Sequence, residues 1–477
     1  MCRIIKKWFK SRQSRLSKVS DNKDTKMFLD KDLIGEQQDI ELFNNIGNLD
    51  NLEGRLTVLL TINPTPRLNW EFEAARGDYT HDSLSFDSPP NHLTSWNEAN
   101  PQFILENPKF TFRGGSRRIS RGYAEQALYG DIDADAHYFE FYLPNTDFLR
   151  DSLGGELGKL TDVLRILNCE SFKAEIGNDW SVELITDQKA LDWLKPKVQN
   201  RGSMITLKIR LFQTQQSSKR IQDLLITSLA DSRKIISDLC LMLSYANGGY
   251  IKSVYTIAKK FSNNEINSTS TENVASLAEA PIISPQEELG GSFIRYFGIT
   301  DLLDFIKCFP TFQKMLQTPH WQEKWIVILE WYFQAILKPS GRRRNALIPV
   351  VANALGTLLE NLARIILVRE GRLSNTQFEN ISLKNRIEHL HIRLGISGDT
   401  SVIEDFVKIR NNSTHAKSNP IPLDEIQQWE VVLKAVQWVD EVILWRLGYG
   451  GQYLERNLQS FNGINPRYDL SLRDSSW

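Results

Sequence analysis

Three arginine–histidine pairs in this chain, Arg76 with His81, Arg386 with His391 and Arg410 with His415, share a spacing that can do chemistry on phosphate esters. An arginine fork that grips phosphate oxygens, beside an imidazole that moves a proton near neutral pH, can cleave RNA without a metal ion. Spacing alone decides little. With 30 arginines and seven histidines in 477 residues, about one such pair, separated by four to six residues, is expected by chance. The flanking residues must distinguish the three.

Arg76 and His81 flank the polar stretch Gly77-Asp78-Tyr79-Thr80, where nothing would hold two side chains in register. Arg386 and His391 lie inside the amphipathic run Leu383 to Leu394, whose apolar stripe is Leu383, Ile387, Leu390 and Leu394. Five helical residues turn by about 140°, so this pair points apart and reads as ordinary solvated helix positions. Arg410 differs. It follows Ile409, the last apolar position of a helical pattern, and Asn411, Asn412, Ser413 and Thr414 are all weak helix formers. A terminating or distorted last turn there can bring Arg410 and His415 onto one face.

The elements that would position this pair are helical. Helix-spaced apolar residues fill Trp321 to Leu337, Leu347 to Glu370, Leu383 to Leu394, Val402 to about Ser413, and Ile421 to Leu447. A shorter helix is expected over Ile299 to Cys308, and Pro422 suits the first turn of the last helix. Upstream, Arg55–Ile62, His137–Leu143, Trp180–Ile185 and Ser203–Leu211 read as strands, and Tyr250–Ala258 as a further one. One helix, about Leu224 to Tyr245, stops at Asn247-Gly248-Gly249. The expected fold class is α+β and multidomain: an antiparallel β-rich N-terminal domain followed by an all-α bundle. The expected divisions are a basic lead-in over 1–52, a β-rich, sensor-like domain over 53–261, a polar linker or mobile loop over 262–290, a helical bundle over 291–450 and a tail over 451–477.

Composition narrows the classes further. A net charge of −1 gives no whole-chain case for nucleic-acid binding, so any basic surface is local. Residues 1–26 carry nine Lys/Arg against two Asp, and read as a solvated basic tail, an RNA-contacting arm or a membrane-surface segment. Cys2, Cys169, Cys240 and Cys308 are scattered without Cys-x-x-Cys spacing, which argues against a zinc site or disulfide scaffold and suits a cytoplasmic protein. No apolar run reaches the length expected of a membrane span. Arg113-Gly114-Gly115-Ser116-Arg117-Arg118 reads as a basic surface turn, and Arg342, Arg343 and Arg344 as a loop that can track an RNA backbone. The tryptophans at 321, 325, 429, 438 and 445 fall at helical spacing and read as bundle core or dimer interface.

A helical bundle whose penultimate helix closes on Arg410-Asn411-x-x-x-His415 resembles the HEPN superfamily, and most closely the ApeA-like HEPN domains of bacterial abortive-infection proteins. Leu359-Glu360-Asn361-Leu362 is similar to the acidic position of that family's second helix. The resemblance covers about residues 320–448. It implies a metal-independent endoribonuclease without cofactor, in which His415 serves as acid and base, Arg410 as phosphate clamp, Asn411 as an orienting residue and Glu360 as the group that orients Arg410. It further implies a homodimer with two facing motifs, an RNA substrate such as tRNA, products with 2′,3′-cyclic phosphate and 5′-hydroxyl ends, and an antiphage role with a phage-derived trigger acting on the N-terminal domain. The alternative is a non-catalytic ligand- or partner-binding protein with a helical dimerisation module.

Overall fold

A computed structural model describes, apart from breaks of one to five residues, residues 32–74, 92–95, 103–144, 171–186, 203–214, 224–261, 271–279, 299–336, 344–456 and 472–474. The basic segment 1–26, the Arg76–His81 pair, Arg342, Arg343 and most of the Arg113–Arg118 turn lie outside these residues.

The N-terminal half is a β region. Its strands are β1 (Ile40–Leu49), β2 (Leu52–Thr61), β3 (Arg67–Ala74), β4 (His92–Ser95), β5 (Phe103–Glu106), β6 (Lys109–Arg113), β7 (Ile119–Ala124), β8 (Gln126–Gly130), β9 (Asp135–Ala136), β10 (Tyr138–Pro144), β11 (Ser171–Glu175), β12 (Trp180–Ile185), β13 (Ile205–Thr214), β14 (Leu224–Leu225), β15 (Thr227–Ser228), β16 (Tyr255–Phe261) and β17 (Thr271–Glu279). All but β9 and β15 join one antiparallel sheet, in the order β11-β12-β13-β10-β16-β17-β8-β5-β4-β1-β2-β3-β7-β6, with β14 on β13. The alternation of β10 explains its place. Phe139, Phe141 and Leu143 face one core, while Glu140 and Tyr142 face the other side of the sheet. On that other side, Tyr142, Tyr255, Ile257 and Ala278 share a core with Leu56, Val58, Leu60, Trp70 and Phe72, so the two halves of the sheet pack face to face. Buried charges there are paired: Arg210 bridges Glu140 at 2.9 Å and Glu183 at 2.7 Å.

Residues 271–279 correct the linker expected over 262–290. The segment Thr-Glu-Asn-Val-Ala-Ser-Leu-Ala-Glu is strand β17, paired on one side with β16 and on the other with β8. Its polar start masked the buried run Ala275–Glu279. Helix α1 (Leu229–Asn247) follows β15, capped by Ser228 at its start and by Gly248 at φ 69° at its end. It begins five residues later than the sequence suggests because Leu224–Leu225 and Thr227–Ser228 pair as strands.

The C-terminal half is helical: α2 (Ile299–Ile306), α3 (Phe309–Leu316), α4 (Pro319–Ala335), α5 (Arg344–Ala363), α6 (Asn375–Glu379), α7 (Leu383–Leu394), α8 (Ile403–His415) and α9 (Glu425–Leu447). Pro422 precedes α9, whose cap is Asp424 in a capping box with Gln427. Helix α5 continues into a π turn, Arg364–Arg369, and the following Glu370 accepts from Trp321 Nε1 at 2.8 Å and from Arg446. Leu347–Arg369 has the length and mean hydropathy of a membrane span, which the sequence pattern alone did not suggest, yet 67% of its most apolar window is buried inside the bundle. Trp321, Trp325 and Trp438 are fully buried. Each removes on the order of 200 Å² from water, roughly 5 kcal/mol of burial before the entropy of ordering.

One hydrophobic core runs from Phe139, Leu207 and Ile236 through Trp325 and Tyr332 to Ile443, so the β region and the bundle pack directly together. A buried polar network crosses the same junction. Tyr245 of α1 and Tyr332 of α4 both donate to Asp440 Oδ1 of α9, at 2.9 and 2.7 Å. Arg456 donates from Nε to Asp440 Oδ2 at 2.8 Å, and from Nη2 to the Tyr332 hydroxyl at 3.2 Å. Residues 452–456 are therefore not a tail. Gln452–Leu454 (β18) pairs with Leu472–Asp474 (β19), and the Arg456 backbone donates to Gln437 at 2.6 Å.

Burial, reinforced by the Asp440 carboxylate, pushes both phenols well above their ordinary range. A phenol raised in the folded state contributes stability that is whole below the unfolded value near 10 and is lost as pH climbs beyond it. The urea midpoint is expected to hold between pH 8 and about 9.5 and to fall above about 10. In Tyr245→Phe/Tyr332→Phe the alkaline fall should be shallower; an equal fall in the double variant would contradict this account.

Candidate active site at the end of helix α8

Helix α8 starts with Glu404 and Asp405 in its first turn, where acidic groups meet the positive end of the helix dipole. Lys408 pairs with both, at 3.3 and 3.2 Å, on the exposed face. Ile403, Phe406 and Ile409 are buried against the bundle, with the Phe406 ring edge-on to Trp438 at 5.9 Å. Beyond Ile409 the apolar stripe ends, yet the helix continues without a break to His415, its last residue. Ser413 and Thr414 return their hydroxyls to the carbonyls of Ile409 and Arg410, at 2.7 and 2.9 Å, the local back-bonding open to hydroxyl residues inside a helix. The distorted turn expected from the sequence is thus absent from the backbone: Arg410 and His415 lie five positions apart in one unbroken helix, about 140° apart around its axis. The side chain of His415 lies outside the described residues.

Arg410 is half-buried against α5. Its Nη1 donates to Asn411 Oδ1 at 3.2 Å, so the group that Asn411 orients here is the arginine. Thr414 Oγ1 stands 2.7 Å from the side-chain amide of Asn353, linking the end of α8 to the middle of α5. No carboxylate pairs with Arg410 among the described residues, and its buried Nε has no hydrogen-bond partner.

Glu360 does not orient Arg410. Its carboxylate is taken by Arg386 Nη1 of α7. Arg386 also donates to the Phe378 carbonyl at 3.3 and 3.1 Å and lies over the Phe378 ring at 4.2 Å. This corrects the reading of Arg386 and His391 as solvated: both are buried. The His391 ring meets Trp438 edge-on at 5.6 Å, with Nδ1 2.9 Å from the Ile387 carbonyl, and burial pulls its pKa below the usual range. Helix α7 is amphipathic, but the sides of its stripe are covered by α6 and α9. The turn between residues 373 and 382 that carries Phe378 gave no strong pattern in the sequence.

Arg344 opens α5, and its side chain lies outside the described residues, as do Arg342 and Arg343. Among the described residues, no group of three or more His, Cys, Asp or Glu side chains could hold a metal ion. Two residues absent from the sequence reading belong to the site, Asn353 and Gly356. Gly356 left a legible signal: a glycine inside the apolar run from Leu347 to Glu370 costs about 1 kcal/mol against alanine and calls for a packing reason.

Comparison with known families gives one finding. The model of the YopA C-terminal domain family matches residues 318–464, from the cap of α4 past Arg456, which is less than a third of the chain. No curated protein and no solved structure matches.

Proposed function

We propose that the protein is a metal-independent endoribonuclease of HEPN type, acting in the cytoplasm as an antiphage abortive-infection effector. The observation that supports this most is Arg410: a guanidinium seated by packing and by Asn411, without a carboxylate partner among the described residues, five positions before the histidine that ends α8. An arginine left uncompensated in this way is suited to an anion supplied from outside. In the reaction, His415 takes the proton of a ribose 2′-hydroxyl, which attacks the adjacent phosphorus. Arg410 stabilises the charge that grows on the phosphoryl oxygens, and protonation of the departing 5′-oxygen completes the step. A homodimer would bring two such motifs together, with arginines 342–344 leading an RNA substrate such as tRNA towards them. The β region, which shares its core with the bundle, would pass on the effect of a phage-derived trigger.

A non-catalytic binding protein is the second reading, and one observation favours it: the unbroken helix sets the Arg410 and His415 backbones apart. End-group analysis separates the two. RNA cut by the protein in excess EDTA should carry 2′,3′-cyclic phosphate and 5′-hydroxyl ends; intact RNA, or 3′-hydroxyl ends, would favour the second reading or another chemistry.

A further inference from the structure

Gly356 sits in the interior of α5 in ordinary helical conformation, so no unusual backbone angle requires a glycine there. A methyl group in its place would meet Arg410 Cγ at 3.0 Å, Arg410 Nε at 3.2 Å and Arg410 Cδ at 3.5 Å, and these are its three nearest neighbours outside its own helix. The stem of Arg410 therefore lies along α5 in the space where any other residue would place its side chain. The berth is one-sided. It buries Nε without giving it an acceptor, and leaves the outer nitrogens to Asn411 and to whatever binds from outside.

We propose that Gly356 is a positioning residue: its missing side chain sets where the Arg410 guanidinium meets an RNA phosphate. The proposal rests on the ribonuclease reading only in that RNA is the ligand. Alanine at 356 is compatible with the helix and removes the backbone cost of a mid-helix glycine, so the fold is kept while the stem of Arg410 is forced outward. A bidentate fork is sensitive to such a shift, because both of its bonds depend on one plane and one angle. Asn353, one turn earlier on α5, is hydrogen-bonded to Thr414 at 2.7 Å, a contact that opposes a shift of the whole helix end.

The test is a double-mutant cycle on binding of 2′-O-methyl RNA, which lacks the attacking hydroxyl and cannot be cut by the proposed route. The full-length parent, Gly356→Ala, Arg410→Ala and the double variant are compared, with thermal melting as a control. Gly356→Ala is expected to melt no lower than the parent and to bind about tenfold more weakly, the scale of one charge-assisted contact. In the Arg410→Ala background the same substitution should have no further effect. Parent-like binding by Gly356→Ala, equal losses in both backgrounds, or no binding by the parent would each overturn the proposal. Ordinary RNA in parallel, with and without phage lysate, keeps the two ideas apart: non-additive binding by a protein that leaves that RNA intact in both conditions retires the nuclease reading and keeps Gly356 in its role.

Discussion

His415→Ala is expected to reduce RNA cleavage by about 10²–10⁴-fold, the range for removing a general acid or base, while leaving RNA binding close to that of the parent. Arg410→Ala is expected to cost about 10²–10³-fold, as for other groups that meet charge developing in the transition state. It should also weaken binding, because in the proposed complex the guanidinium would meet phosphate in the ground state as well. The two variants should therefore divide differently, His415→Ala falling on kcat and Arg410→Ala on both kcat and KM. Neither should unfold the bundle. His415 ends its helix, and among the described residues the Arg410 side chain bonds to Asn411 and lies over Gly356. Single-turnover cleavage with circular dichroism checks both points, and parent-like rates in both variants would remove the site from consideration.

The largest expected stability effect lies elsewhere. Asp440→Ala should destabilise the protein by about 3–5 kcal/mol, the cost of removing one partner from a buried ion pair. That is a large share of the roughly 5–15 kcal/mol that holds a typical domain together. Asp440 is 0% exposed and receives Tyr245, Tyr332 and Arg456 at once. Its loss takes the carboxylate acceptor from a buried guanidinium and two buried hydroxyls. Because the three donors come from α1, α4 and the segment after α9, the damage should cross the junction between the β region and the bundle. Urea unfolding followed by tryptophan fluorescence reads this directly. A midpoint within error of the parent would show that water or neighbouring groups replace the carboxylate.

The sequence conveyed some of this architecture plainly and hid the rest for physical reasons. Helices with wide apolar stripes, such as α4, α5 and α9, and strands with clean alternation, such as β10 and β12, follow from local periodicity. Strand β17 was obscured because its first half is polar and its pairing with β8 spans well over a hundred positions. Arg456 looked like part of a tail because a lone arginine gives no sign that a buried aspartate awaits it sixteen residues upstream. The site was half legible. Arg410 and Asn411 could be picked out by type and spacing, but the partner of Glu360 could not: a charge on one helix face has several candidates, and only the packing of α7 on α5 selects Arg386. The same packing explains how two buried residues, Arg386 and His391, could look solvated.

Whether Arg410 and His415 cut RNA is decided by incubating end-labelled total RNA and tRNA with the purified full-length protein in excess EDTA, with and without phage lysate, beside His415→Ala. Fragments are expected from the parent and at least a hundredfold fewer from the variant. Equal cleavage by both proteins, or none from the parent under any tested phage lysate, would contradict the proposed function.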